Sequence, residues 1–160
     1  MTAAAVRRLL KELQDIQNDP SEEIAFLAPV DDESILQWRA VLRGPHDSPY
    51  EGGHFELRID VPEHYPIRPP TLTFVTPVCH PNVHFETGEI CLDILKTQWS
   101  PAWTLTSTCL AIQVLLANPE PSSPLNCDAA NLLRCGDVVG YRSLVGLYTR
   151  MYAQPPETPQ

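Results

Sequence analysis

The apolar residues of this chain change period in a fixed order, and that order narrows the fold before any single residue is considered. Val6, Leu9, Leu10, Leu13 and Ile16 recur at helical spacing, so residues 3 to 18 are predicted to form an amphipathic helix, stopped by Asn18-Asp19-Pro20. Beyond it the period falls to two. Ile24, Phe26 and Ala28 alternate, then Leu36, Trp38, Ala40 and Leu42, then Phe55, Leu57 and Ile59, and a β-rich run covers Thr71 to Val75. Turn formers at Gly44-Pro45 and Gly52-Gly53 separate the middle strands, which predicts an antiparallel meander. From Thr76 to about Trp103 neither period holds. Three helical segments close the chain: Thr106 to Ala117, ended by Asn118-Pro119; Cys127 to Cys135, with Gly136 placed for a left-handed cap; and Asp137 to Tyr152. Helix, four-stranded antiparallel sheet, irregular stretch, helices: this is an α+β layout.

A chain of 160 residues fits one domain with a proper core, and no repeat or internal linker divides it. Residues 154 to 160, Gln154-Pro155-Pro156-Glu157-Thr158-Pro159-Gln160, read as a frayed tail. No apolar run is long enough to span a bilayer, and the N-terminus lacks the apolar core of a signal peptide. Five cysteines without framework spacing suit a reducing compartment better than a disulfide scaffold. A formal charge of −9 argues against a nucleic-acid partner and against direct binding to anionic lipid.

The aperiodic stretch carries the chemistry. Compact domains seldom hold irregular segments longer than about 15 residues unless these serve a function. In the middle of this one lies Cys79-His80-Pro81-Asn82-Val83-His84-Phe85-Glu86-Thr87-Gly88-Glu89-Ile90-Cys91-Leu92-Asp93-Ile94-Leu95. A cysteine between Ile90 and Leu92 commonly acts as a small buried hydrophobe. A zinc site is a second reading, but Cys79, His80, His84 and Cys91 form one adjacent pair and two stragglers, not two close pairs. The third reading is a thiol nucleophile, with the Asn82 amide able to hold a developing oxyanion.

The runs His80-Pro81-Asn82, Gly88-x-Ile90-Cys91-Leu92-Asp93-Ile94-Leu95, Trp99-Ser100-Pro101-Ala102 and Tyr65-Pro66-x-x-Pro69-Pro70 favour the third reading. In order and spacing they resemble the signature of ubiquitin-conjugating enzymes, over roughly residues 3 to 152. The resemblance implies that residues 1 to 153 form one catalytic domain of the ubiquitin-conjugating fold. It also implies that Cys91 accepts ubiquitin as a thioester from an activating enzyme, without cofactor or metal. Asn82 then steadies the loop or the oxyanion, and His80 is either a structural loop residue, as is usual in the family, or a general base. Asp93 belongs to the catalytic-loop motif, and Ser123 stands where relatives commonly carry an acidic residue that activates the incoming lysine. The segment from Asn82 to Cys91 is one residue longer than in many relatives, so the turn at His84-Phe85-Glu86 is expected to bulge.

Partner surfaces follow by position. Arg7, Arg8 and Lys11 are expected opposite the leucines of the first helix, on the face that meets the activating enzyme in the family; an ordinary solvated face is the alternative. Ile67 and Arg68, with Pro101 and Ala102, match the loops that dock RING-type ligases. Leu110 matches a position where donor ubiquitin packs, though core packing would use it equally well.

Within the family, Thr87-Gly88-Glu89-Ile90-Cys91-Leu92 and Asn131-x-x-Arg134-Cys135-Gly136-Asp137-x-x-x-Tyr141 are similar to the peroxisomal branch, the peroxin-4 enzymes. That branch implies recruitment to the cytoplasmic face of the peroxisomal membrane by a membrane-anchored peroxin. It implies as substrate the import receptor, modified on lysine or cysteine. The motif Asn131 to Tyr141 and the last helix, with Tyr141, Leu144, Val145 and Tyr148, are expected either to bind the recruiter or to complete the core. Two alternatives stay open at this level: a non-catalytic ubiquitin-binding variant of the fold, and a conjugating enzyme for another ubiquitin-like modifier.

Overall fold

Thr2 opens the first element. Its side chain accepts a hydrogen bond from the Ala5 N–H (3.2 Å) and starts α1 (Ala3–Asn18) in the computed structural model, which describes residues 2–157. The strands β1 (Ile24–Pro29), β2 (Gln37–Arg43), β3 (His54–Asp60) and β4 (Thr71–Phe74) pair antiparallel in chain order, so the sheet is a four-stranded meander. After a long connection come α2 (Leu105–Ala117), α3 (Cys127–Arg134) and α4 (Val138–Tyr152). Thr104 and Ser107 form a reciprocal capping box at the start of α2, Asn126 caps α3 and Asp137 caps α4. Gly136, at φ +76°, supplies the left-handed step between α3 and α4.

Alternation in β2 and β3 points Trp38, Ala40, Leu42, Phe55, Leu57 and Ile59 to one side, where Leu9 of α1 and Leu105, Cys109, Ile112 and Leu116 of α2 bury them. Complete burial of each large side chain contributes about 1.5–3 kcal/mol, so α2 is firmly seated beneath the sheet. No helix among the described residues is long and apolar enough to cross a membrane.

Two expectations give way, and a choice left open on α4 falls to the core. Phe26 does not point inward: the β1 register shifts between Ile24 and Phe26, the extra residue turns the strand over, and Leu27 is buried instead. Phe26 lies outside beneath the Arg39 guanidinium, 5.0 Å from its ring centre. Leu10 is 52 % exposed, while Glu12 takes a place on the buried stripe of α1. On α4, Tyr141 and Val145 are buried, and Leu144 and Tyr148 pack partly against the core. Among the apolar residues α4 leaves outside, Val139, Leu147 and Met151 stand eight and then four residues apart along one face, and Val138 and Tyr152 are exposed at its two ends. Of the expected tail, residues 154–157 have no regular structure and 158–160 lie outside the described residues.

Candidate active site

Between β4 and α2 the backbone has no sheet or α-helix to satisfy it, and its polar groups are met by a set of latches. Gly88 is the first. At φ +74° it brings its carbonyl to the Phe74 N–H (2.9 Å), and a Cβ there would lie 2.0 Å from the Phe74 oxygen. Only glycine lets the loop run this close to β4. Hydrogen bonds from His84 N to Glu89 O and from Gly88 N to His84 O close the turn between, and a bridge joins Val83 to Ile90. Cys91 follows, its N–H donating to Asn82 O at 2.8 Å. The turn at His84-Phe85-Glu86 reaches α4, where Phe85 meets Tyr148 and Tyr152 edge to face at ring separations of 5.2 and 6.2 Å.

Asn82 is 1 % exposed and fully occupied. Its amide nitrogen donates to Glu120 O (2.7 Å) and Ser123 O (3.1 Å), and its oxygen accepts from Glu120 N (2.8 Å). The neighbouring Pro81 carbonyl accepts from Leu125 N and Asn126 N. Residues 81–82 thus hold the loop from Pro119 to Asn126 against the cysteine loop. In this geometry the Asn82 amide serves the loop, with both donor hydrogens spent, and none is left over for an oxyanion.

His80 lies under the same loop. Its Nδ1 accepts from Asn82 N (2.9 Å), which leaves the proton on Nε2 to donate to Leu115 O (2.8 Å). Burial pushes its pKa down to about 4, against a smaller opposing pull from the Leu115 carbonyl. A neutral ring with both nitrogens engaged fits neither a general base nor a metal ligand. Above it the Tyr50 hydroxyl donates to Cys79 O (2.6 Å) and pairs with the Tyr141 hydroxyl (3.1 Å), tying the loop to α4.

The cysteines differ sharply. Burial raises Cys79 to about 11 and Cys109 to about 12, so neither supplies thiolate near neutral pH. Cys91 is half-buried at the loop rim. Cys127 and Cys135 are both exposed; Cys127 opens α3, and Cys135 caps it with its thiol donating to Asn131 O. Lys96, the one cation near Cys91 in sequence, pairs with Glu89 at 3.5 Å.

Asp93 begins a short 3-10 turn (Asp93–Leu95) whose carbonyl accepts from Lys96 N and Gln98 N, so it shapes the chain just past the cysteine. Ser123 presents its side chain outward while its carbonyl holds Asn82. Glu120, on the same loop, turns its carboxylate to the Ser122 hydroxyl and N–H, which hold its pKa below the usual range.

The partner positions separate into two groups. Arg7, Lys11, Ile67, Arg68, Pro101 and Ala102 are exposed, with Ile67 at 77 %, and Lys11 pairs with Asp15 on its own helix (2.9 Å). Leu110 is half-buried and lies outside the main core cluster, one turn from the exposed Val114. Arg8 departs from the expected stripe. Its Nε bonds Glu12 (2.8 Å) and its terminal nitrogen donates to Pro101 O and Trp103 O, so it turns inward. Periodicity gave no sign of this, because the partners lie more than 90 residues away.

The latched loop thus presents one half-buried cysteine at its rim beside an antiparallel meander. The sequence profile of the ubiquitin-conjugating enzymes matches residues 8–148, and the chain belongs to that family. Its likeness narrows further. It is 53 % identical over 152 residues to Protein PEROXIN-4 of Arabidopsis thaliana, covering 95 % of this chain and 97 % of the relative. It is 55 % identical over 145 residues to the ubiquitin-conjugating enzyme E2 pex4 of Dictyostelium discoideum, covering 91 % and 97 %. Among solved structures, H. polymorpha Pex4p in complex with the soluble domain of Pex22p superposes with a TM-score of 0.91 at 43 % identity, covering 96 % of this chain and all of that one.

Proposed function

We propose that Cys91 carries ubiquitin as a thioester and passes it, with a RING-type ligase, to a lysine or cysteine of the peroxisomal import receptor. The observation that carries the chemistry is the place of Cys91 in the loop latched by Asn82: Cys79 and Cys109 are silenced by burial, and the exposed Cys127 and Cys135 sit at the two ends of α3, outside that loop. In loading, the Cys91 thiolate attacks the thioester carbonyl that joins ubiquitin to the activating enzyme's cysteine. A new carbon–sulfur bond forms, the old one breaks, and the activating enzyme's sulfur leaves as thiolate. In discharge, an acceptor amine or thiolate attacks the same carbonyl, Cys91 leaves as thiolate, and an amine acceptor releases its extra proton to solvent. No cation is placed at Cys91 by its sequence neighbours, since Lys96 serves Glu89, so proximity within the docked complex supplies most of the rate.

Arg7 and Lys11 form the part of α1 that meets the activating enzyme, with Arg8 reassigned to the interior. Ile67, Arg68, Pro101 and Ala102 form the ligase face, and Leu110 with Val114 offers donor ubiquitin an apolar strip. Asn82, His80 and Asp93 build the loop, and Ser123 leaves the acceptor side without an added negative charge, which a thiol acceptor does not require.

Recruitment to the peroxisomal membrane runs through a protein partner. The related Pex4p was solved with the soluble domain of Pex22p, and a partner of that kind is the recruiter we infer here. The outer strip of α4 (Val139, Leu147 and Met151) is its surface, in place of the inward residues that the sequence suggested. Fractionation of cells with and without that partner tests this. The protein should leave the membrane fraction when the partner is absent. An even cytosolic distribution in both, with receptors still modified when the enzyme is deleted, would refute the peroxisomal assignment.

A further inference from the structure

The most unusual side chain outside the cysteine loop is Glu12, a carboxylate 4 % exposed in the interior of an acidic chain. Its Oε1 accepts from the Tyr65 hydroxyl (2.6 Å) and from Arg8 Nε (2.8 Å), and its Oε2 accepts from Leu105 N (2.8 Å). Arg8 carries the network on, donating to the carbonyls of Pro101 (3.0 Å) and Trp103 (2.9 Å) and lying 5.7 Å from the centre of the Tyr65 ring. Tyr65 in turn packs on Trp99, whose indole N–H donates to Pro66 O at 2.8 Å. These contacts converge on two irregular segments, residues 62–70 and 99–104. Neither belongs to the sheet: the first is tied to α1 by Tyr65 on Glu12, and the second by Arg8 on its carbonyls and by the adjoining Leu105 amide on the same carboxylate.

Stability alone is a poor reason for this arrangement. Removing a carboxylate from water is costly, and well-packed apolar groups of similar volume often stabilise an interior as well or better. What a charged, fully bonded group supplies is direction. Glu12 offers acceptors at fixed angles, and its three donors come from different segments: the phenol from the first loop, the amide from the residue of α2 that follows the second, the guanidinium from its own helix. Ile67 stands two residues from Tyr65, and Pro101 is itself a partner of Arg8, so the exposed tips lie immediately beside the bonded positions. The spacing between the two tips is therefore set from inside.

We propose that Glu12 and Tyr65 are positioning residues for ligase docking, holding the 62–70 and 99–104 loops at the separation a RING-type ligase reads. The inference rests on the reading that these loops are the ligase face. Loosening the network leaves the loops present but mobile, so binding must order them and affinity falls. Ordering a few side chains or a short loop costs enough to weaken an interface about 3- to 10-fold.

Two variants test this. Glu12→Gln replaces one acceptor oxygen with an NH2 group, so at least one of its three donors loses its acceptor. Tyr65→Phe removes only the hydroxyl and keeps the ring against Trp99 and Arg8. Each is loaded with ubiquitin, and discharge is followed against rising concentrations of a purified RING domain that stimulates the parent. Half-saturation should rise about 3- to 10-fold, with the plateau rate and the ligase-free discharge to lysine unchanged. Ile112→Val, a mild truncation of the core away from the network, should lower stability without moving half-saturation. If it moves half-saturation as far, the effect is general loosening and the inference is overturned. Ile67→Ala separates the two levels. If Ile67→Ala weakens the ligase while Glu12→Gln and Tyr65→Phe do not, the docking face stands and the positioning role fails. If Ile67→Ala has no effect, the docking face is wrong and the inference falls with it. Should Glu12→Gln not fold, Tyr65→Phe alone decides.

Discussion

Replacing Asn82 separates a residue that holds a loop from one that touches the reacting carbonyl. Asn82→Ala removes the bonds to Glu120 O, Ser123 O and Glu120 N. At a net 0.5–1.5 kcal/mol each, three bonds are worth about 2–4 kcal/mol. Glu120 and Ser123 are exposed, so water can take over part of their backbone bonding, and the loss should lie near the lower end, about 2 kcal/mol. Urea unfolding of parent and variant measures it directly. The 119–126 loop should then drift from Cys91, slowing discharge to free lysine by up to about 100-fold, while loading within the activating-enzyme complex continues. Asn82→Asp sharpens the test. The carboxylate keeps the shape and the acceptor for Glu120 N, but it turns two attractions into repulsions against the Glu120 and Ser123 carbonyls. It should cost at least as much stability as alanine does. A variant with parental stability and slow discharge would refute the latch and return the amide to the oxyanion. Parental discharge would remove Asn82 from the mechanism altogether.

Protonation of His80 and the charges on α1 give two further outcomes. The folded pKa of about 4 lies below the ordinary 6.5, so above pH 6.5 the ring is neutral in both states and costs nothing. As pH falls from 6.5 towards 4 the unfolded chain takes up a proton that the folded one refuses, and up to about 3 kcal/mol of stability drains away. Unfolding measured across that window should show this loss in the parent and not in His80→Gln; equal pH dependence in the two would contradict it. Reversal of Arg7 and Lys11 to Glu should slow loading with little change in stability, and the slowing should shrink as salt rises. Loading indifferent to both would reduce these residues to an ordinary wet helix face.

Much of the architecture was legible because it rests on local periodicity. The leucines of α1, the alternation of Trp38, Ala40 and Leu42, and the aperiodic run around Cys91 each announce themselves within a dozen residues. What escaped depends on partners distant in sequence or on a single inserted residue. The β1 bulge inverted the sides of Phe26 and Leu27, which no alternation count detects. Arg8 and Glu12 look like a surface ion pair at helical spacing, and only the Trp103 carbonyl and the Leu105 amide draw them inside. Asn82 was recognisable as a site residue, but its role turns on Glu120 and Ser123, about 40 residues on. For α4 the chain showed more apolar residues than one stripe uses. Which of them faced outward was settled by the contacts of Tyr141 and Phe85, not by their spacing.

Mapping the ubiquitin adduct tests the central claim most directly. Parent, Cys91→Ser, Cys127→Ser and Cys135→Ser are incubated with activating enzyme, ATP and ubiquitin, and the products are compared with and without reductant before peptide mass analysis. The exposed Cys127 and Cys135 are the necessary comparison, since accessibility alone would favour them. The parent, Cys127→Ser and Cys135→Ser should each carry one reductant-sensitive ubiquitin on Cys91, and Cys91→Ser should give a reductant-resistant oxygen ester or no adduct. A reducible adduct that persists in Cys91→Ser, or maps to Cys127 or Cys135 in the parent, would contradict the assignment of the nucleophile.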